Sequence, residues 1–502
     1  MQTLTVLSIV LLLALALGDA DAAELWIGSA RADITPEKPV ALAGQMHLRV
    51  SKKVDTPLIA TVLALESRDG EKPLDQAIII SCDLVAIRAG IQERFREHVK
   101  PRLPGFDLQK LFLNATHTHT APVTMDGSYE IPKEGVLQPA EYVEFLFARL
   151  ADAAAKAWET RQPGGVSWGL GHAAVGSCRR AVYENGTARM YGATDTPDLR
   201  SIEGNQDPSV DVLCFWNAEK QLSAIVINLA CTAQEVEGLS SVNADFWHDV
   251  RQVLHKKHGE ALIVLPWCAP AGDQSPHLLY NKRAEERMRS LRGLTRTQEI
   301  ARRITNAVED VLGVIQKDVR TAVPFAHRVS RVKLPMRKAT EAELARAQKE
   351  LDELSKAPTA TPVSKWKLAR CRRVLDRHEQ QKTDPDHEIE LHALRLGDVA
   401  IATNPFELYL DYGIQIKARS KAVQTFLIQL AASSGGYLPT AKAVKGGHYS
   451  AELVDNVVGP EGGKALVHAT VAAINAFWTP EWARSAAFRP YLGSAIRHED
   501  TG

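Results

Sequence analysis

Short apolar runs rich in Val, Ile and Leu recur along the chain, and each breaks off into a polar loop. They include LIATVLALES, QAIIISCDLVAI, KLFLNATH, VDVLCFWN, LSAIVINLA, ALIVLPWC, VAIATNPF and AVQTFLIQL. Runs of this length, dense in β-branched residues and bounded by Gly, Pro or charge, read as buried strands. Between them stand segments of helical period: AGIQERFREHV, AEYVEFLFARLADAAAKAW, ADFWHDVRQVLHKKH and one long helix from about Arg283 to Gln316. The order strand, strand, helix, strand, helix predicts an α/β fold of layered, mixed β-sheets with flanking helices. A length of 502 residues leaves room for a large core. From about Ala339 to Asp386 the character changes. EAELARAQKELDELSKA and KWKLARCRRVLDRHEQQK are highly charged and helical in period, with the Pro- and Thr-rich APTATPVS between them. This predicts an inserted, exposed helical hairpin, either a plain surface element or a lid or docking arm. No internal repeat of fixed period is visible.

The first residues bear on the compartment. Leu4 to Leu17 is apolar, and Ala20-Asp21-Ala22 follows as an A-x-A cleavage pattern. The run is shorter than the ~20 apolar residues of a spanning helix. Residues 1–22 are therefore expected to be a signal peptide, cleaved on export to the periplasm or the exterior, although its start carries no Lys or Arg. The formal net charge is 0, from 60 basic and 60 acidic residues. That balance argues against nucleic acid as a partner, because such binding needs a concentrated basic surface. The six cysteines are dispersed, with no CxxC, and read as buried free thiols. NAT at Asn114 and NGT at Asn185 match the glycosylation sequon.

Four loop segments after apolar strands carry chemistry. The first is Thr116-His117-Thr118-His119-Thr120-Ala121-Pro122. In an extended segment residues two apart face the same way, so His117 and His119 would address one site. Imidazole serves as metal ligand or as general acid and base. The second is Ala271-Gly272-Asp273-Gln274-Ser275-Pro276, a small-residue loop presenting a hydroxyl and backbone amides. The third is Asn404-Pro405-Phe406-Glu407, and the fourth is Gly435-Gly436-Tyr437-Leu438-Pro439-Thr440. Histidine, carboxylate and phenolate are N and O donors suited to zinc. Each segment alone has a plain alternative: exposed loop histidines, a strand-end turn, a surface acid, a tyrosine at the core's edge.

THTHTAP, AGDQSP, NPFE and GGYLPT, in this order, resemble the neutral/alkaline non-lysosomal ceramidase family. ADITP with Asp33, SCDLVAI with Asp83 and GSCRRAV with Arg179 extend the similarity from about Ile27 to Phe477. The resemblance implies a ceramidase-type catalytic domain over 23–480, a tail over 481–502 and no C-terminal immunoglobulin-like domain. It implies His117, Glu407 and Tyr437 as zinc ligands, His119 as the group that contacts substrate or transfers a proton, Ser275 at the nucleophile position and Arg179 as the group that orients the substrate. The implied reaction is zinc-dependent cleavage of the N-acyl bond of ceramide or a related N-acyl lipid, with transient contact to a membrane surface.

One segment departs from the family. Its further zinc-binding histidine lies in an A-C-H-P-T stretch, and here Asn228 to Glu235 reads NLACTAQE. Either the metal is lost or Cys231, Gln234, Glu235 or His248 replaces the ligand. His248 is taken as the replacement and Zn2+ as the cofactor. A long-chain substrate would need an apolar groove, for which Phe406, Leu408, Leu438 and Trp247 are the candidate walls. The departure keeps two other readings open: a zinc amidase for a non-ceramide N-acyl compound, and a non-catalytic binding protein on a degenerate scaffold.

Overall fold

The β-branched runs do form strands, and three sheets are built from them. A computed structural model describes residues 23–479, apart from 128 and 357–361. The expected leader over 1–22 and tail over 481–502 lie outside the described residues. Sheet one contains β1 (Glu24–Asp33), β2 (Ile59–Asp69), β3 (Lys72–Cys82) and β4 (Leu111–Ala115) in the order β4-β3-β2-β1, with the short strand Gln162–Pro163 beyond β1. Sheet two contains β5 (Gly165–His172), β6 (Ser209–Trp216), β7 (Leu222–Leu229) and β8 (Ile263–Cys268) in the order β8-β7-β6-β5. Sheet three contains β9 (Phe325–Pro335), β10 (Asp386–Leu396), β11 (Val399–Thr403) and β12 (Gln424–Ile428) in that order.

The helices are α1 (Ile91–Val99), α2 (Pro139–Glu159), α3 (Phe246–His258), α4 (Lys282–Leu291), α5 (Arg296–Ile315), α6 (Glu341–Ser355), α7 (Pro362–Thr383), α8 (Leu410–Arg419), α9 (Ala441–Gly446) and α10 (Pro460–Asn475). In every sheet the last two strands are parallel: β3 with β4, β7 with β8, β11 with β12. Parallel neighbours need a crossover rather than a hairpin, and α1, α3 and α8 supply the three crossovers. The same strand–helix–strand unit thus closes each sheet, although the sequence shows no fixed repeat.

One apolar cluster joins the inner faces of all three sheets, with Leu63 and Phe112, Val226 and Trp267, and Ile401 and Phe426 among its members. Helices cover the outer faces: Tyr142 and Leu146 of α2 on sheet one, Val250 of α3 and Ile304 of α5 on sheet two, Leu466 of α10 on sheet three. Strands buried on both faces read as continuous apolar runs rather than alternating ones. Each such Leu, Ile or Val contributes about 1.5–3 kcal/mol by leaving water.

Two expectations change. The stretch 283–316 is two helices, because the chain turns at Gly293 (φ +67°) and a Thr295–Gln298 capping box starts α5 afresh. The charged hairpin forms from α6 and α7, but it is docked rather than free. Ala347, Cys371 and Val374 pack with Leu453, and Arg337 donates to Ala451 O at 2.7 Å and Arg377 to Asn456 O at 3.0 Å. All six cysteines are buried and unpaired. Asn114 is fully buried in β4, so its sequon is out of reach of glycosylation, whereas Asn185 is exposed. Among the described residues no helix is long and apolar enough to cross a membrane.

Candidate active site

The six strands of the three parallel pairs send their carboxyl-terminal exits to one place, as open α/β sheets do with their ligand sites. The β4 exit delivers His117 and His119. The segment is not extended, as its spacing suggested: β4 ends at Ala115 and His117 has φ +67°. Histidine tolerates that left-handed geometry better than bulkier or branched residues. The His117 amide donates to Leu84 O at 2.9 Å, and its Nδ1 lies 2.6 Å from Val85 O, both on the β3 exit. A carbonyl only accepts, so Nδ1 carries a proton and Nε2 is the nitrogen turned toward Glu407. The turn, not strand alternation, brings His117 Nε2 within 3.2 Å of His119 Nε2.

The β7 exit delivers Thr232, Gln234 and Glu237. Gln234 Oε1 accepts from Thr232 Oγ1 at 2.5 Å and from Arg179 Nη1 at 3.2 Å. Two donors on one oxygen decide which end of the amide is the carbonyl. Gln234 Nε2 therefore donates to His119 Nε2, 2.7 Å away. Glu237 meets the other ring nitrogen, its Oε2 3.0 Å from His119 Nδ1 and 3.4 Å from Gln234 Nε2, and its Oε1 is 3.4 Å from His277 Nε2. Burial pulls the His119 imidazole down to about 4. Burial likewise opposes the Glu237 charge, but His119 and His277 outweigh it and hold the carboxyl far below its ordinary range.

The β8 exit delivers Gly272 and the fully buried Ser275. Ser275 Oγ accepts from Tyr191 Oη at 2.9 Å and from the His277 amide at 3.1 Å. No imidazole or carboxylate bonds it among the described residues. The β11 and β12 exits deliver Glu407 and Tyr437, which pair in a short parallel ladder, Glu407–Leu408 with Tyr437–Leu438. Glu407 Oε2 stands 3.5 Å from His117 Nε2 and is buried with no hydrogen-bond partner. Burial raises this carboxyl, yet His117 and Arg179 outweigh burial and bring it down to about 2. Burial, with Glu407 alongside, holds the Tyr437 phenol well above its ordinary value. Buried Arg179 ties the exits together, donating through Nη1 to Tyr191 Oη at 3.2 Å and through Nη2 to Gly272 O at 3.0 Å and Tyr437 Oη at 3.2 Å.

No family model and no curated protein sequence matches the chain. Solved structures do, among them a neutral ceramidase from Pseudomonas aeruginosa, with TM-score 0.65 and 16% identity over 91% of this chain and 75% of that one, and a ceramidase complexed with C2, with TM-score 0.62 and 14% identity over 90% and 75%. The chain has the neutral ceramidase fold. Within this ceramidase fold the structure brings together His117, His119, Arg179, Ser275, Glu407 and Tyr437.

It does not bring His248 to them. His248 sits on α3 next to Asp249 and the buried Asp83–Arg251 pair, whose Oδ2–Nη1 distance is 2.6 Å. Cys231 is buried with its thiol pushed well above the ordinary range, first by burial, and Glu235 is engaged by Arg296 Nε at 3.0 Å. Asp33 and Asp83 hold backbone, at Thr35 and Ile59. Phe406, Leu408, Leu438 and Trp247 are almost wholly buried in the core, so they line no groove. The Gly272 amide donates to Leu408 O at 2.8 Å and is not free for an oxyanion. Glu237, His277 and Tyr191 were not anticipated. Each lies within a few residues of an anticipated one or pairs with it in space, but no spacing pattern marks it.

Proposed function

We propose that this centre hydrolyses the amide bond of an N-acyl compound, with a zinc ion held by His117, Glu407 and Tyr437. The observation that carries the proposal is the buried Glu407 carboxylate, whose Oε2 has no hydrogen-bond partner among the described residues and stands 3.5 Å from Nε2 of His117, the ring nitrogen turned away from Val85 O. A buried carboxylate oxygen left without a hydrogen bond is unfavourable, and the lone pair of a neutral imidazole facing it adds to the cost. A cation between them removes both penalties. Among the described residues no three His, Cys, Asp or Glu side chains are arranged to hold a metal; the third donor of the proposed set is the Tyr437 phenol, paired beside Glu407. Three protein ligands and an open position is the pattern of catalytic zinc. When bound, the ion supplies Lewis-acid activation of the carbonyl and of water.

The chain's own residues do the rest. His119 Nε2, which accepts from Gln234 at 2.7 Å, exchanges that donor for the attacking water, takes a proton from it and passes it to the leaving nitrogen. Arg179, whose Nε–H is its one donor without a partner among the described residues, supplies the donor for the developing oxyanion in place of the engaged Gly272 amide. Ser275, with no base beside it, holds Tyr191 and the substrate, and water attacks. Ceramide is the substrate that the similar structures suggest. The burial of all four expected wall residues favours a second substrate class, a more polar N-acyl amine.

The test is metal analysis of the purified protein, with cleavage of a short-chain fluorescent ceramide and of N-acyl amines before and after chelation. The expected result is stoichiometric zinc, chelator-sensitive amide cleavage, and loss of zinc in Glu407→Gln. Absence of zinc with His117 intact, or binding of the lipid without cleavage, refutes the proposal.

A further inference from the structure

We propose that Glu237 is the positioning residue of His119, in an arm that this chain builds where the family carries a metal-binding histidine. The inference rests on the hydrolytic reading for its catalytic consequence but not for its geometry. Two donors on Gln234 Oε1, Thr232 and Arg179, turn the Gln234 amide so that Nε2 donates to His119 Nε2. The remaining ring nitrogen, Nδ1, then carries the proton and donates it to Glu237 Oε2 at 3.0 Å. A carboxylate on the far nitrogen fixes both tautomer and ring plane of a working imidazole. Here it leaves Nε2 as the accepting nitrogen, bonded by Gln234 and 3.2 Å from His117 Nε2.

The scaffold around this pair is built for it. Arg49 is buried, and its guanidinium ties together the two segments that carry the pair. Nη2 donates to His119 O at 2.6 Å and Nη1 to Glu237 O at 2.7 Å. The same guanidinium holds Ala43 O at 2.8 Å, next to Gly44, whose missing side chain makes room for the ring: a Cβ there would lie 2.3 Å from His119 Cγ. His277, anchored on Gln234 O at 2.9 Å, holds the other carboxylate oxygen. A group placed to 0.5 Å or so by its own supporting contacts is what a working site requires.

The test uses full-length protein labelled with 15N-histidine, without substrate. Long-range 1H–15N spectra report the tautomer of each ring, and His119 is assigned by its loss in His119→Asn. The expected wild-type signal is the Nδ1–H form, shifted to Nε2–H or a mixture in Glu237→Ala and retained in Glu237→Gln, whose amide oxygen still accepts. Glu237→Leu serves if the alanine variant does not fold. An unchanged His119 tautomer in a folded Ala or Leu variant overturns the proposal. On any cleaved amide, Glu237→Ala is expected to lose about 10- to 100-fold in kcat with KM little changed and partial rescue by Gln. A loss confined to KM overturns it also. A wild-type protein that cleaves no amide sinks the hydrolytic reading, and the tautomer result then decides the role of Glu237 alone.

Discussion

Gly272→Ala probes how tightly the β8 and β11 exits are pressed together. A Cβ at Gly272 would lie 2.2 Å from Glu407 O, 2.7 Å from its carbonyl carbon and 3.0 Å from the Leu408 carbonyl carbon. All three are backbone atoms, so no rotamer change relieves the contact. Reaching even the short end of ordinary packing takes about 1 Å of separation. The Gly272 N–Leu408 O bond starts at 2.8 Å and would stretch past useful length. Overpacking costs about 1–3 kcal/mol and the weakened hydrogen bond about 1 kcal/mol. The melting temperature should fall by roughly 2–4 °C. Glu407 and the Arg179 acceptor on Gly272 move with the loop, and a displacement of about 1 Å at a reacting centre can cost about 100-fold in rate. Differential scanning calorimetry and turnover on the best N-acyl substrate measure the two effects. Wild-type melting and wild-type turnover together would refute the claim that this contact sets the position of Glu407.

Gly44→Ala should act on His119 in the same way. The new Cβ meets the imidazole, and φ +99° is a strained geometry for alanine, so turnover should fall by more than stability does; equal turnover would show that the ring has room. Ser275→Ala should retain measurable turnover with zinc still bound, and complete loss of activity at full zinc occupancy would restore Ser275 as the attacking group. His327 and His392 are buried with Nε2 and Nδ1 2.9 Å apart, facing Glu390, Arg96, Arg331 and Lys110. Burial pulls both imidazoles below the ordinary value, so below about pH 6.5 the unfolded chain binds more protons than the folded one. Stability should therefore fall as pH drops through that window, by up to about 1.4 kcal/mol per unit for each histidine. His327→Gln should flatten the slope, and identical slopes would refute the assignment.

The strands were legible because burial on both faces leaves an apolar signature no loop shares. Their grouping was not: β9 and β10 pair along their whole lengths across the inserted hairpin, a non-local fact that no local pattern encodes. The break before Thr295 was written in Leu-Arg-Gly-Leu-Thr-Arg-Thr-Gln, but the helical period on either side masked it. At the site, single residues were legible where a family motif marked them. His117 and His119 converge for a different reason from the one their spacing offered, a left-handed turn at His117 rather than a strand. Gln234 was a candidate replacement ligand, and it is hydrogen-bonded to His119 instead. Glu237 and His277 escaped notice because carboxylates and histidines in loops are common. Only their shared carboxylate contact, some forty residues apart in sequence, sets them off.

The threefold recurrence of a parallel strand pair has a consequence for how such a molecule can change. Each pair is closed by its own helix and secured in its own outer core, so a change in one pair's exit loops leaves the other strands in place and acts on the neighbouring loops only through contacts such as Gly272–Leu408 and Gln234–His119. Here the middle pair presents an amide and a carboxylate, Gln234 and Glu237, while the flanking pairs present His117, His119, Glu407 and Tyr437. A scaffold divided this way lets chemistry drift one third at a time, with the remaining two thirds keeping the cavity in register.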